Sequence, residues 1–199
     1  MKTVLLVDGG YLRAGVRTVN LIYNNDFIEQ FCLNCFHGDE YRFRIFYYDA
    51  PLYRGKVTLP VSGRSYQFQS SDQWLDALAK KERFAVRRGA IGFRGWKPKT
   101  IPIAGRELQD QDFSPLFEQK GVDMRIGLDI ATFAHARIIE RIVLVSGDTD
   151  MVPAIKLAST AGIEVIIVQL PKPVLDLHAS LLAHSDMVRS VVWPIQPAV

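Results

Sequence analysis

The sequence predicts an α/β domain built on a mostly parallel sheet with helices on both faces. Three observations carry this reading. The runs "TVLLV" (3–7), "RIVLV" (141–145) and "IEVIIV" (163–168) are apolar and β-branched without clean alternation, as strands buried on both faces are. Segments with helical spacing separate them, which is the order of a parallel sheet with crossover helices. The 199 residues, 48% hydrophobic and 23% charged, suffice for one core, so a single domain over 1–199 is expected.

The first strand, 3–7, breaks at Asp8-Gly9-Gly10, which reads as its exit loop. "NDFIEQFCLNCF" (25–36) sets Phe27, Ile28, Phe31, Cys32 and Cys35 at helical spacing, and "YRFRIFYYDA" (41–50) is a strand ended by Pro51. Residues 52–70, with "KVTLPVSGRSYQF", read as a hairpin or extended insertion, after which Ser71 is a candidate cap for a helix through "DQWLDALAKKERF". "AVRRGAIGF" is a third strand and 94–117 a long loop, giving a basic, loop-rich insertion within about 52–117. A long helix opens in "EQKGVDMRIGLDIATFAHARI", followed by the strand "RIVLVSGD" and a helix "DMVPAIKLASTAG" closed by Gly162. "IEVIIVQL" is the next strand, "PVLDLHASLLAHSDMV" a helical tail and "SVVW" a last short strand.

Composition excludes several classes. No apolar run reaches the roughly 18 residues of a membrane span, and the N-terminal "MKTVLLVDGG" has too short an apolar stretch for a signal peptide, so a cytoplasmic protein is expected. Cys32 and Cys35 lack the further ligands of a zinc site and read as buried or half-buried thiols. Net charge is only +3, yet residues 51–106 hold twelve basic and three acidic residues, a local excess of +9.

The chemistry concentrates in carboxylates. Asp8, Asp148 and Asp150 directly follow buried strands, and in parallel sheets function collects beyond the carboxyl ends of the strands, at a switch in strand order. Asp123 and Asp129 lie near the start of the long helix; Asp129 shares a polar face with Arg125, Thr132 and Ala136, while Asp123 joins a cluster only from the helix entrance. Like charges converging in a desolvated cleft require a cation or shared protons, and hard oxygen donors suit Mg²⁺ or Mn²⁺. Taken singly, each Asp is also explained as a helix cap or surface residue.

"VLLVDGGYL", "YYDAP", "KGVDMRIGLD" and "IVLVSGDTDMVPAIKLASTAGIEVIIV" together resemble the NYN domain of the LabA-like group, within the PIN-like nuclease superfamily. The resemblance spans nearly the whole chain apart from parts of 52–117. It implies a three-layer α/β/α PIN-like fold and metal-dependent cleavage of RNA. Asp8, Asp123, Asp129, Asp148 and Asp150 match the family's acidic positions, with Asp8, Asp148, Asp123 and Asp150 as metal ligands. The sequence departs in two places: Gly9, Gly10 and Tyr11 stand where members often have an Asn, and Met151 where Phe is common.

A bound ion lowers the pKa of its water and neutralises phosphate charge, so no Ser or His nucleophile is needed. Lys120 and Ser146 flank the acidic motifs as candidate phosphate contacts. The basic segment is a candidate track for a single strand, above all Arg87, Arg88, Arg94, Trp96, Lys97 and Lys99 in "RRGAIGFRGWKPK", where cations interleave with aromatic rings. Tyr53, Tyr66, Phe68 and Phe93 are further stacking candidates, whereas Trp74 and Phe84 read as core residues. A haloacid-dehalogenase-type phosphatase would need Asp at position 10, which is Gly, and "DGGYLRAG" does not form the G-x-G-x-x-G of a Rossmann nucleotide site. The rival is a PIN-like module that binds RNA or a regulatory protein with weak or no hydrolysis. A homodimer accords with small nucleases, which often pair.

Overall fold

The computed structural model describes residues 1–101 and 105–195. The chain runs β1 (Lys2–Asp8), α1 (Gly9–Thr18), α2 (Asn25–Asn34), β2 (Tyr41–Asp49), β3 (Gly55–Thr58), β4 (Ser65–Phe68), α3 (Gln73–Ala79), β5 (Phe84–Arg88) and β6 (Ala90–Pro98). It continues through β7 (Phe113–Lys120), α4 (Val122–Ala136), β8 (Arg141–Val145), α5 (Val152–Thr160), β9 (Glu164–Gln169), α6 (Ala179–Leu182) and β10 (Met187–Ser190).

Six strands form one parallel sheet in the order β10-β9-β8-β1-β2-β5. Successive residues of each strand feed opposite faces. Leu5, Val7, Val143 and Tyr47 pack under α1, α2 and α3, while Val4, Leu6, Leu144 and Tyr48 pack under α4 and α5. This double burial explains why the strands read as unbroken apolar runs. The expected three-layer α/β/α PIN-like architecture is the one found. The order of strands reverses between β1 and β8, so the ends of these two neighbours define the switch point.

Several elements differ from the sequence reading. The supposed exit loop at Gly9-Gly10 is already helix: Asp8 caps α1 by accepting the Gly10 and Tyr11 N–H groups at 2.9 and 3.1 Å. The helix after Ser71 stops at Ala79, because Phe84 is needed in β5 opposite Ile45. The stretch 94–117 is not one loop; its ends belong to β6 and β7, an antiparallel pair in which Phe93 faces Phe117, while residues 102–104 lie outside the described residues. A second pair, β3 and β4, packs its aromatic rings against this one, and that packing stabilises both ribbons.

The tail is helical only at Ala179–Leu182. Upstream, the Gln169 amide donates to the Leu175 carbonyl and accepts the Leu177 N–H, which fixes an irregular path where a helix was expected. The last strand is Met187–Ser190 rather than 190–193, since Asp186 clamps Val165 through its backbone N–H and its carboxylate and so starts the pairing earlier. By contrast, Gly162 closes α5 as expected: it is left-handed (φ 82°), donates to Ser159, and Ile163 donates back to Ala158.

Among the described residues, no helix is long and apolar enough to cross a membrane. Cys32 and Cys35 are both free and fully buried.

Candidate active site

The site lies at the carboxyl ends of β1 and β8. Asp8 ends β1 on the face covered by α4 and is almost wholly buried, 8% exposed. Its Oδ1 takes both cap hydrogen bonds, which leaves Oδ2 without a hydrogen bond among the described residues. Asp148 follows β8 and repeats this logic. Its Oδ1 accepts the Asp150 N–H at 2.9 Å, and its Oδ2 accepts none from the described residues. Each carboxylate is thus oriented by the turn it caps while presenting one oxygen.

The third member enters through a glycine. Gly121 is left-handed (φ 76°) between β7 and α4, and this sharp turn puts Asp123 in the first turn of α4, at the entrance where it can join the cluster. Burial pushes the Asp8 carboxyl up to about 6; its Tyr11 hydrogen bond opposes this, and the Asp123 charge adds to it. Asp123 is itself raised, first by desolvation and then by the charges of Asp148 and Asp150. Asp8, Asp123, Asp148 and Asp150 therefore share one electrostatic environment, in which cations are favoured.

Asp129 is placed differently. It lies further along α4 and accepts the hydroxyl of Tyr48, the residue paired with Asp8 across β1 and β2, at 2.8 Å and the Arg87 Nε at 3.0 Å. Ser146 is fully buried and its Oγ accepts the Asp148 backbone N–H at 3.2 Å, so it shapes the loop. Lys120 is exposed, with Glu118 at 3.8 Å.

Much of the basic segment is internally neutralised. Arg87 pairs with Asp129, Arg88 with Asp72 and Asp76, Arg94 with Glu118 and Arg106 with Asp112. Arg54, Lys56, Lys97 and Lys99 are exposed and make no ion pair among the described residues. The rings of Tyr53, Phe68, Phe93, Trp96 and Phe117 pack on one another, and the Trp96 indole donates to the Thr58 carbonyl at 2.8 Å. These rings form a half-buried aromatic cluster between the two ribbons, with Phe117 still 38% exposed.

Sequence reasoning missed the group behind Asp8. Asp49 ends β2 with no exposure, ion-paired to Arg13, and accepts the Tyr47 hydroxyl at 3.1 Å and the Ala50 N–H at 2.8 Å. Its signal was present in "YYDAP", the next strand-ending Asp. A Cβ on Gly9 would lie 2.5 Å from the Tyr47 hydroxyl and 2.7 Å from Asp49, so this position needs glycine. Tyr11 lies against Gly147 in the same way.

Whether the residues suit a cation is a matter of donor set and reach. No three of the Asp, Glu, His and Cys side chains among the described residues converge closely enough to hold one ion together. Two open carboxylate oxygens at the switch point suit an ion bound through one or two carboxylates and otherwise by water, as Mg²⁺ commonly is.

A parallel α/β/α sheet with acids gathered at its switch point is the architecture of PIN-like, nuclease-type domains. The family model for the NYN domain matches residues 2–181, and the chain belongs to this family, whose PIN-like relatives generally use divalent metals. No curated protein and no solved structure matches the chain.

Proposed function

We propose that the protein hydrolyses phosphodiester bonds of single-stranded RNA at a divalent-cation site, Mg²⁺ or Mn²⁺, formed by Asp8, Asp123, Asp148 and Asp150. The observation that carries this reading is the pair of capped carboxylates, Asp8 and Asp148, each with Oδ2 open at the ends of adjacent strands. The bound ion would supply a water of lowered pKa and neutralise charge on the phosphate oxygens. Asp8 and Asp148 hold it, directly or through water, because their caps fix them before it arrives. Asp123 and Asp150 complete the negative field from the helix entrance and the loop. Asp129 acts through Tyr48 and Arg87 as a positioning residue. Lys97, Lys99, Arg54 and Lys56 draw the strand in by phosphate neutralisation.

A second reading, a LabA-like module that binds RNA or a regulatory protein with little hydrolysis, is favoured by the absence of three converging ligands among the described residues. Cleavage of end-labelled single-stranded RNA with Mn²⁺, Mg²⁺ or EDTA separates the two. Wild type is expected to cut with a metal ion and not with EDTA, and Asp8→Asn and Asp148→Asn to cut far less. Binding without cutting under every ion, or variants as active as wild type, overturns the nuclease reading.

A further inference from the structure

On the opposite face of the sheet from the acidic cluster, a cavity of about 680 Å³ opens between α1, the start of α2, α3 and the loop after β2. This volume lies in the range of small-ligand sites. Its walls are chemically mixed. Trp74 stands edge-on to Tyr47 at 6.3 Å, and the Arg13 guanidinium lies 5.9 Å from the Trp74 ring and 5.6 Å from that of Tyr23. Arg13 is ion-paired to the buried Asp49, so this wall is set before any ligand arrives. At the rim, one turn further along α1, Arg17 is exposed and has no hydrogen-bond or ion-pair partner for its side chain among the described residues. The rim acid Asp26 is already engaged by Lys81 at 2.9 Å. The cavity thus offers an aromatic wall, a fixed guanidinium and one unsatisfied cation.

Its position gives these features a use. Ala50, which lines the cavity, follows Asp49 at the end of β2, next to the end of β1 at Asp8, and adjacent strands lie about 5 Å apart. The Asp49 charge is close enough to act on Asp8, and Gly9, the residue after Asp8, packs on Asp49 and Tyr47. A strand passing from the acidic cluster over the ends of β1 and β2 therefore runs toward the cavity.

We propose that this cavity holds one unstacked nucleotide, its base against Trp74 and its phosphate on Arg17. The inference takes its substrate class from the nucleic-acid reading above. The same chemistry is met by a nucleotide within a strand or by a free mononucleotide.

The test is binding in EDTA, where no cleavage occurs, of a fluorescein-labelled 12-mer of single-stranded RNA and, separately, of AMP and UMP followed by isothermal titration calorimetry. Trp74→Leu is expected to weaken the 12-mer by roughly 5- to 100-fold, the effect of losing one base–aromatic stack. Arg17→Ala is expected to weaken it and to lower the slope of log K against log salt by about one, a readout that a merely structural role leaves unmoved. Arg17 is exposed, so its variant keeps the test decisive if Trp74→Leu does not fold. Loss confined to the 12-mer assigns the cavity to a strand, and loss for AMP or UMP as well assigns it to free nucleotides. Unchanged 12-mer and mononucleotide binding with an unchanged salt slope in Arg17→Ala overturns the proposal even if the RNA is cut. If wild type never cuts but Arg17→Ala shows the loss, the cavity stands and the nuclease reading falls.

Discussion

The Tyr48 hydroxyl donates a 2.8 Å hydrogen bond to Asp129, tying the carboxyl end of β2 to α4 across 81 residues of sequence. Arg87, from the edge strand β5, reaches the same carboxylate at 3.0 Å. One acid thereby joins a helix to two strands. Asp129→Ala leaves the buried Tyr48 hydroxyl unpaired and is expected to lower stability by about 1–3 kcal/mol in chemical denaturation, with or without divalent ions. Asp129→Asn keeps an acceptor for Tyr48 and should lose less. Its effect on cleavage should be smaller than that of Asp148→Asn; equal losses would place Asp129 among the groups that touch the ion.

Asp8 illustrates a different balance. Its folded-state value of about 6 lies above the ordinary 3.8, so its charge at neutral pH opposes folding, by about 2–3 kcal/mol. Asp8→Asn keeps an oxygen for the Gly10 and Tyr11 N–H groups and removes that charge. In EDTA the variant should melt several degrees above wild type. Adding Mn²⁺ should raise the melting temperature of wild type and leave the variant nearly unmoved. A variant less stable than wild type in EDTA would contradict this account.

Glu40 titrates in the opposite sense. Its side chain is fully buried, yet hydrogen bonds from Arg189, the His37 N–H and Arg141 outweigh the cost of burial and hold its carboxyl down to about 2, against an ordinary 4.5. The stabilisation is complete above about pH 4.5 and is lost as pH falls from there toward 2. Glu40→Gln removes the counter-charge of two arginines and should cost about 3–5 kcal/mol at pH 7. The pH dependence of unfolding between 5 and 2 should flatten in the same variant.

Cys32 and Cys35 are fully buried, and burial pushes both thiols well above their ordinary range. Native protein should therefore react with a thiol reagent at the rate at which it unfolds, and both sites together. Rapid modification of one cysteine at neutral pH in folded protein would contradict the burial of α2.

The sheet was legible because burial on two faces leaves a mark that needs no partner to be named: an apolar run ending in Asp. The acids after β1 and β8 were legible for the same reason, since a charge beside such a run is costly without a use. What was not legible depends on partners far away in sequence. The local excess of positive charge between 51 and 106 gave no hint that Arg94 would meet Glu118, or Arg87 Asp129. Likewise, nothing local shows that Phe68 and Phe93 fold onto Phe117. The helix α1 was hidden by Gly9 and Gly10, although Leu12, Gly15 and Val16 carry its buried stripe. Asp49 lay in plain view within "YYDAP", and only the proximity of Arg13 and Gly9 gives it meaning.

The parallel register has a consequence for how the molecule can be engineered. Glu40 and Arg141 stand at the amino ends of β2 and β8, whereas the open carboxylates stand at the carboxyl ends. A five-residue strand such as β8 separates the two groups by about 16 Å, beyond the distance over which substitutions usually couple. Changes at the two ends should add. A variant reinforced around Glu40 would serve as a common background in which each acid is replaced in turn, and each loss of cutting is measured on protein that is equally folded.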